Sequence, residues 1–124
     1  MNPRLALHKD FTEKLVARRN GVLGRWVKGK GWPDLPKNRP INQFLAKQSA
    51  EEKDLLVELL QEARDGGIHD TLVVLHEEMA NGARLVKDGV EMAFEPYGTE
   101  IYVDWVARSE GDLWPESQLS AEYR

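Results

Sequence analysis

The stretch GRWVKGKG, residues 24–31, follows the phosphate-loop pattern G-x-x-x-x-G-K and then places Gly31 where a Ser or Thr should bind magnesium. That chemistry needs backbone N–H groups between a buried strand and a helix. Here the approach has helical spacing, and WPDLP (32–36) cannot open a helix, so no nucleotide loop is expected. HEEMA (76–80) begins like a zinc-protease motif but carries Ala80 in place of the second histidine. His69 and His76 stand about 10 Å apart along a helix, too far to share a metal, and His8 comes from a distant segment. No metal and no cofactor is expected.

Two clusters keep the residue types that binding requires. Arg25, Trp26, Lys28, Lys30 and Trp32, followed by Lys37 and Arg39, mix cations for phosphates with aromatics for stacking on bases. The simpler alternative puts Trp26 in the core with solvated lysines around it. DWVARSEGDLWPE (104–116) gathers Asp104, Trp105, Arg108, Glu110, Asp112, Trp114 and Glu116 at a strand end and loop, where binding residues tend to sit. Its simpler alternative is a core Trp105 and an internal ion pair from Arg108 to an aspartate. No Ser or Thr lies in a nucleophile-elbow pattern, and no carboxylate pair stands out.

The length of 124 residues fits a single domain, 1–124, with enough chain for a real core. The absence of cysteine excludes disulfides and thiolate chemistry. Charges at Arg4, Lys9 and Asp10 argue against a secretory signal, and LVVL (72–75) is the longest apolar run, so a soluble cytoplasmic protein without a membrane role is expected. The net charge of −4 conceals a split. Residues 1–48 hold 11 Lys/Arg against 3 acids, and residues 49–124 hold 6 against 18. Such a split marks either a basic binding surface or two halves that neutralise each other.

The elements that must position these residues make an α+β domain of about four helices followed by a three-stranded antiparallel sheet. Asn2 and Pro3 start a first helix over 3–27, in one or two pieces, because Gly21 and Gly24 weaken its second half. Residues 29–40 form a Pro/Gly loop within the basic half, 1–48, and a short helix follows near 41–47. Ser49 and Glu52 form a capping box for a helix whose stripe is Leu55, Leu56, Leu59, Leu60 and Ala63. Gly66 is expected to stop it, and Asp70 to cap a second helix ending at Gly82, so 49–82 reads as a helical hairpin. Asp88-Gly89 then turns a β-hairpin that pairs Lys87 with Val90. EPYG (95–98) turns the chain into a third strand, TEIYVDWVA, completing a β-meander over 83–108. Residues 109–124 read as an irregular tail.

From IHDTLVVLHEEM through GVEMAFEPYGTEIYVDWVARSEGDLWPE, residues 68–116, the chain resembles a family of small uncharacterised bacterial proteins. The most distinctive piece is EPYG followed by DW-AR--GD-WPE. The resemblance implies a bacterial origin and no assigned reaction. The leading expectation is therefore a non-enzymatic protein-interaction or regulatory protein, with homodimerisation and an immunity or anti-toxin-like role within its reach. The alternatives are a nucleic-acid-binding accessory protein using the basic half, and a small enzyme or ligand binder using the polar sheet face around Asp104, Arg108 and Glu91.

Overall fold

A computed structural model of the chain describes residues 1–124. Five helices and one two-stranded antiparallel sheet appear in the order α1 (Pro3–Ala17), α2 (Leu23–Lys28), α3 (Arg39–Ala46), α4 (Ala50–Ala80), β1 (Val86–Lys87), β2 (Val90–Glu91) and α5 (Ile101–Ser109). Single 3-10 turns lie at Pro36–Asn38 and Ala121–Tyr123. The chain divides into two compact units, one of Met1–Arg18 with Ile68–Arg124 and one of Arg19–Gly67.

In the first of these, the Asn2 side chain accepts from the Arg4 and Leu5 N–H groups, with Pro3 at the first helical position, so α1 starts where its cap dictates. Leu72, Met79, Met92, Ile101 and Trp105 form the core, packed by Phe11 and Leu15 of α1. The hairpin forms as expected. Asp88 (φ 51°) and Gly89 (φ 78°) occupy the left-handed region that its two-residue turn demands, and Lys87 pairs with Val90.

The expected third strand is instead helix α5. Ile101, Asp104, Trp105 and Arg108 recur at helical spacing, and turning the first three inward buries them together. The sheet therefore stops at two strands, and there is no meander. The expected helical hairpin is likewise one helix. α4 runs unbroken through Gly66 and Gly67, where each glycine costs about 1 kcal/mol relative to Ala but neither forbids the helical conformation. Ser49 and Glu52 do exchange the two hydrogen bonds of a capping box, and Gly82 (φ 101°) closes the helix. The tail is tied down as well: Tyr123 is buried, and its hydroxyl accepts from the Phe94 N–H.

In the unit Arg19–Gly67, Val27 and Leu45 are buried. Asn42 fastens the Pro/Gly loop from both sides, accepting from the Trp32 N–H at 2.9 Å and donating to the Trp32 carbonyl at 3.1 Å. Gly31 has φ 85°, and a Cβ there would stand 2.5 Å from Asn42 Oδ1. The glycine in the place of a phosphate-loop hydroxyl is thus required by this clamp. Gly31→Ser is expected to cost about 1–3 kcal/mol through its backbone strain, measured as a lower urea midpoint. An unchanged midpoint would contradict the clamp.

Candidate functional site

Helices α1 and α5 bring together a buried polar cluster in the unit Met1–Arg18 with Ile68–Arg124. Leu5, His8 and Thr12 occupy the inward face of α1. His8, 1% exposed, meets Asp104 with Nε2 2.9 Å from Oδ2. Thr99 Oγ1 donates to Asp104 Oδ1 at 2.5 Å, and Thr12 Oγ1 donates to the His8 carbonyl at 2.8 Å. The second His8 nitrogen, Nδ1, has no hydrogen-bond partner. It faces protein rather than solvent, and the dyad acts as a tie between the two helices.

Aromatic rings and a second ion pair surround this tie. Trp114 and Tyr97 approach His8 edge-on, with ring centroids 5.9 and 6.3 Å away. Burial first, and then the Asp104 charge, push the Tyr97 phenol above its ordinary pKa. Glu13 Oε1 accepts from Arg108 Nε at 2.5 Å and from Trp114 Nε1 at 2.9 Å. Arg108 also donates to the Asp112 carbonyl. The Arg108 hydrogen bond, helped by that from Trp114, holds the Glu13 carboxyl below its ordinary pKa despite partial burial.

So the structure gathers Asp104, Arg108 and Trp114 of the second sequence cluster around α1, with Asp112 joining through its backbone. Trp105 lies in the core instead. Asp104 and Arg108 are both taken up by protein partners, and Glu91 stands apart beside Arg4. The remaining histidines do not converge on His8. His69 packs against Tyr102, and His76 stacks on Phe94 with Nε2 3.5 Å from Glu95. No group of three His, Asp or Glu side chains could hold a metal ion.

The first sequence cluster lies in the unit Arg19–Gly67. Trp26 and Trp32 are half-buried and meet edge to face at 5.5 Å. Lys28 pairs with Asp54 at 2.6 Å, and Arg19 holds Asp65 through two hydrogen bonds of 2.9 Å. Arg25, Lys30, Lys37, Arg39 and Lys47 are exposed and form no ion pair. The acids of α4 therefore neutralise only part of the basic segment. Around Arg25 and Lys28 opens a cleft of about 760 Å³, to which Arg64 and Gln61 of α4 contribute.

A family model described as "Family of unknown function (DUF6547)" matches residues 1–116. The chain belongs to DUF6547. No curated protein and no solved structure matches it. The family match extends the resemblance seen over 68–116 to nearly the whole chain, including both candidate sites. No helix of this DUF6547 chain is long and apolar enough to cross a membrane.

Sequence reasoning missed several partners in the DUF6547 chain. His8 and Glu13 of α1, and Thr99, complete the buried cluster, while Arg64 completes the cleft. The one available signal was the helical spacing of 101, 104, 105 and 108, which would have turned Asp104 inward and demanded a buried partner. The depressed Glu13 pKa has a consequence for stability. A carboxyl whose folded pKa lies below its unfolded value, about 4.3, contributes fully above that value and loses its contribution as pH falls through the folded one. Glu13→Gln is therefore expected to flatten the loss of thermal stability below about pH 4, with melting temperature followed against pH. An identical acid limb in both proteins would contradict it.

Proposed function

We propose that the chain is a non-enzymatic interaction protein that pairs with a second copy of itself through the unit Arg19–Gly67. The observation that carries this reading is the outward face of α4. Leu55 and Leu59 are 60% and 61% exposed there, and Glu58 and Glu62 share the same face without ion pairs. The inward face, with Leu56, Val57 and Leu60 half-buried, already serves the fold. Exposed leucines one turn apart, edged by acids, suit an apolar surface edged by cations.

The same unit offers that complement. On α3, Phe44 is 52% exposed and Ile41 lies one turn away, with Lys37 and Lys47 beyond either end of the pair. A two-fold arrangement would set α3 of each copy against α4 of the other and make the contact twice. Pairing α4 with its own copy would instead oppose acids to acids. The engagement of Asp104 and Arg108 by His8 and Glu13 favours this reading over an enzyme built on those residues.

Sedimentation velocity across a concentration series tests it. The wild-type chain is expected to sediment as a concentration-dependent dimer, and Leu55→Glu with Leu59→Glu as a monomer. A wild-type monomer at all concentrations would overturn the proposal.

A further inference from the structure

Gly24, Arg25, Lys28 and Gly29 of the stretch that imitates a phosphate loop converge, by a different geometry, on the open cleft of the unit Arg19–Gly67. Its charged lining is entirely cationic: Arg25 and Lys28 from α2 and Arg64 from α4. Leu23, Val57 and Leu60 supply apolar lining, and Gln61 adds a polar group. The volume, about 760 Å³, is that of a small-molecule site rather than a track for a polymer.

We propose that this cleft binds a phosphate monoester with an apolar body. A dianion suits three cations better than a monocarboxylate, and arginine forks match phosphate oxygens two at a time. Arg25 is exposed and forms no ion pair. The Lys28–Asp54 pair lies at the surface, where such pairs are weak enough to exchange for a ligand's charge. Gly21 makes room for the third cation. A Cβ at that position would stand 3.1 Å from the Arg64 guanidinium carbon, so the guanidinium lies directly across the glycine backbone.

The binding mode differs from that of a phosphate loop. The Trp26 and Gly29 N–H groups are spent on the Val22 and Arg25 carbonyls, so side chains rather than backbone amides hold the phosphate. Magnesium has no hydroxyl ligand here, because Gly31 is committed to the Asn42 clamp. This inference goes beyond the self-association reading and does not rest on it. The cleft uses neither Leu55 and Leu59 nor Ile41 and Phe44.

The test is titration of the full chain with phenyl phosphate, phenol, inorganic phosphate and a ten-nucleotide thymidine strand, followed by amide NMR shifts. Phenyl phosphate is expected to give saturable shifts at Gly21, Gly24 and Gly29, to bind more tightly than inorganic phosphate, and to weaken several-fold between low and physiological salt. Arg25→Gln is expected to weaken it about tenfold. Lys87→Gln, equal in charge change but outside the cleft and the α3–α4 faces, is expected to leave it unaltered. Absence of saturable shifts at the three glycines would overturn the proposal. So would equal weakening by Arg25→Gln and Lys87→Gln, or binding of phenol as tight as that of its phosphate. Tighter binding of the thymidine strand, with shifts spread over Lys30, Lys37 and Arg39, would replace the small-molecule site with a nucleic-acid surface.

Discussion

Asp104→Ala is expected to cost about 3 kcal/mol of folding stability, because breaking a buried pair leaves the other partner without its counterpart. The carboxylate accepts from both His8 Nε2 and Thr99 Oγ1, and removing it leaves both donors without an acceptor. His8 suffers most: its Nδ1 already lacks a partner, so the buried ring would keep none. A loss of this size lowers the melting temperature by roughly 10 °C in a chain of this length. Asp104→Asn is expected to cost less, about 1 kcal/mol, since the amide oxygen can still accept from His8 Nε2 and the Thr99 hydroxyl can turn to accept from the amide nitrogen. Urea denaturation of the three proteins measures the order. Equal midpoints for the wild type and Asp104→Ala would show that the tie does not hold α1 to α5. His8→Ala combined with Asp104→Ala should cost less than the sum of the two, as coupled neighbours do.

The parts of this fold that follow from local rules were legible in the sequence, and those decided by distant partners were not. Asp88-Gly89 specifies its hairpin because positive φ at two successive positions is a property of those two residues. The capping box at Ser49 and Glu52 is equally local. Residues 101–109 satisfy both periods: Ile101, Val103 and Trp105 alternate, while Ile101, Trp105 and Arg108 keep helical spacing. A segment of nine residues cannot decide between them alone. What decides is His8, 96 positions away, which gives Asp104 a buried partner only if the segment is helical. Gly66 and Gly67 read as a stop because glycine usually ends helices, yet α4 is carried through them. Gly31 looked like a defect in a phosphate loop until Asn42 gave it a structural reason.

The same contrast bears on function. The basic segment and the acidic α4 were visible as charge counts, but the counts could not say which charges meet. Arg19 and Lys28 find acids on α4, while Arg25 opens into the cleft and Lys37 and Lys47 stay at the surface. Nor could the apolar stripe reveal that only one side of it is used: Leu56 and Leu60 face inward, and Leu55 and Leu59 do not.

Leu55→Glu with Leu59→Glu is expected to weaken self-association by at least 100-fold, about 2.8 kcal/mol. Each substitution enters a two-fold interface twice. It removes apolar surface worth about 25 cal/mol per Å² and sets an uncompensated charge against Phe44 and Ile41 of the partner copy. Because both leucines are already exposed, the folded chain loses little by the change, and its unfolding free energy from urea denaturation should move by less than about 0.5 kcal/mol. Monomerisation accompanied by a large loss of stability would mean that the leucines serve the fold rather than an interface.

A charge swap followed by sedimentation velocity tests the α3–α4 pairing itself. One variant carries Lys37→Glu and Lys47→Glu on the α3 face, and the other carries Glu58→Lys and Glu62→Lys on the α4 face. Alone, each opposes like charges in both copies of the contact and should remain monomeric. Mixed, they restore opposite charges at both contacts and should form a heterodimer. If the mixture stays monomeric while the wild type dimerises, or if either variant dimerises alone as well as the wild type, the α3–α4 pairing is wrong.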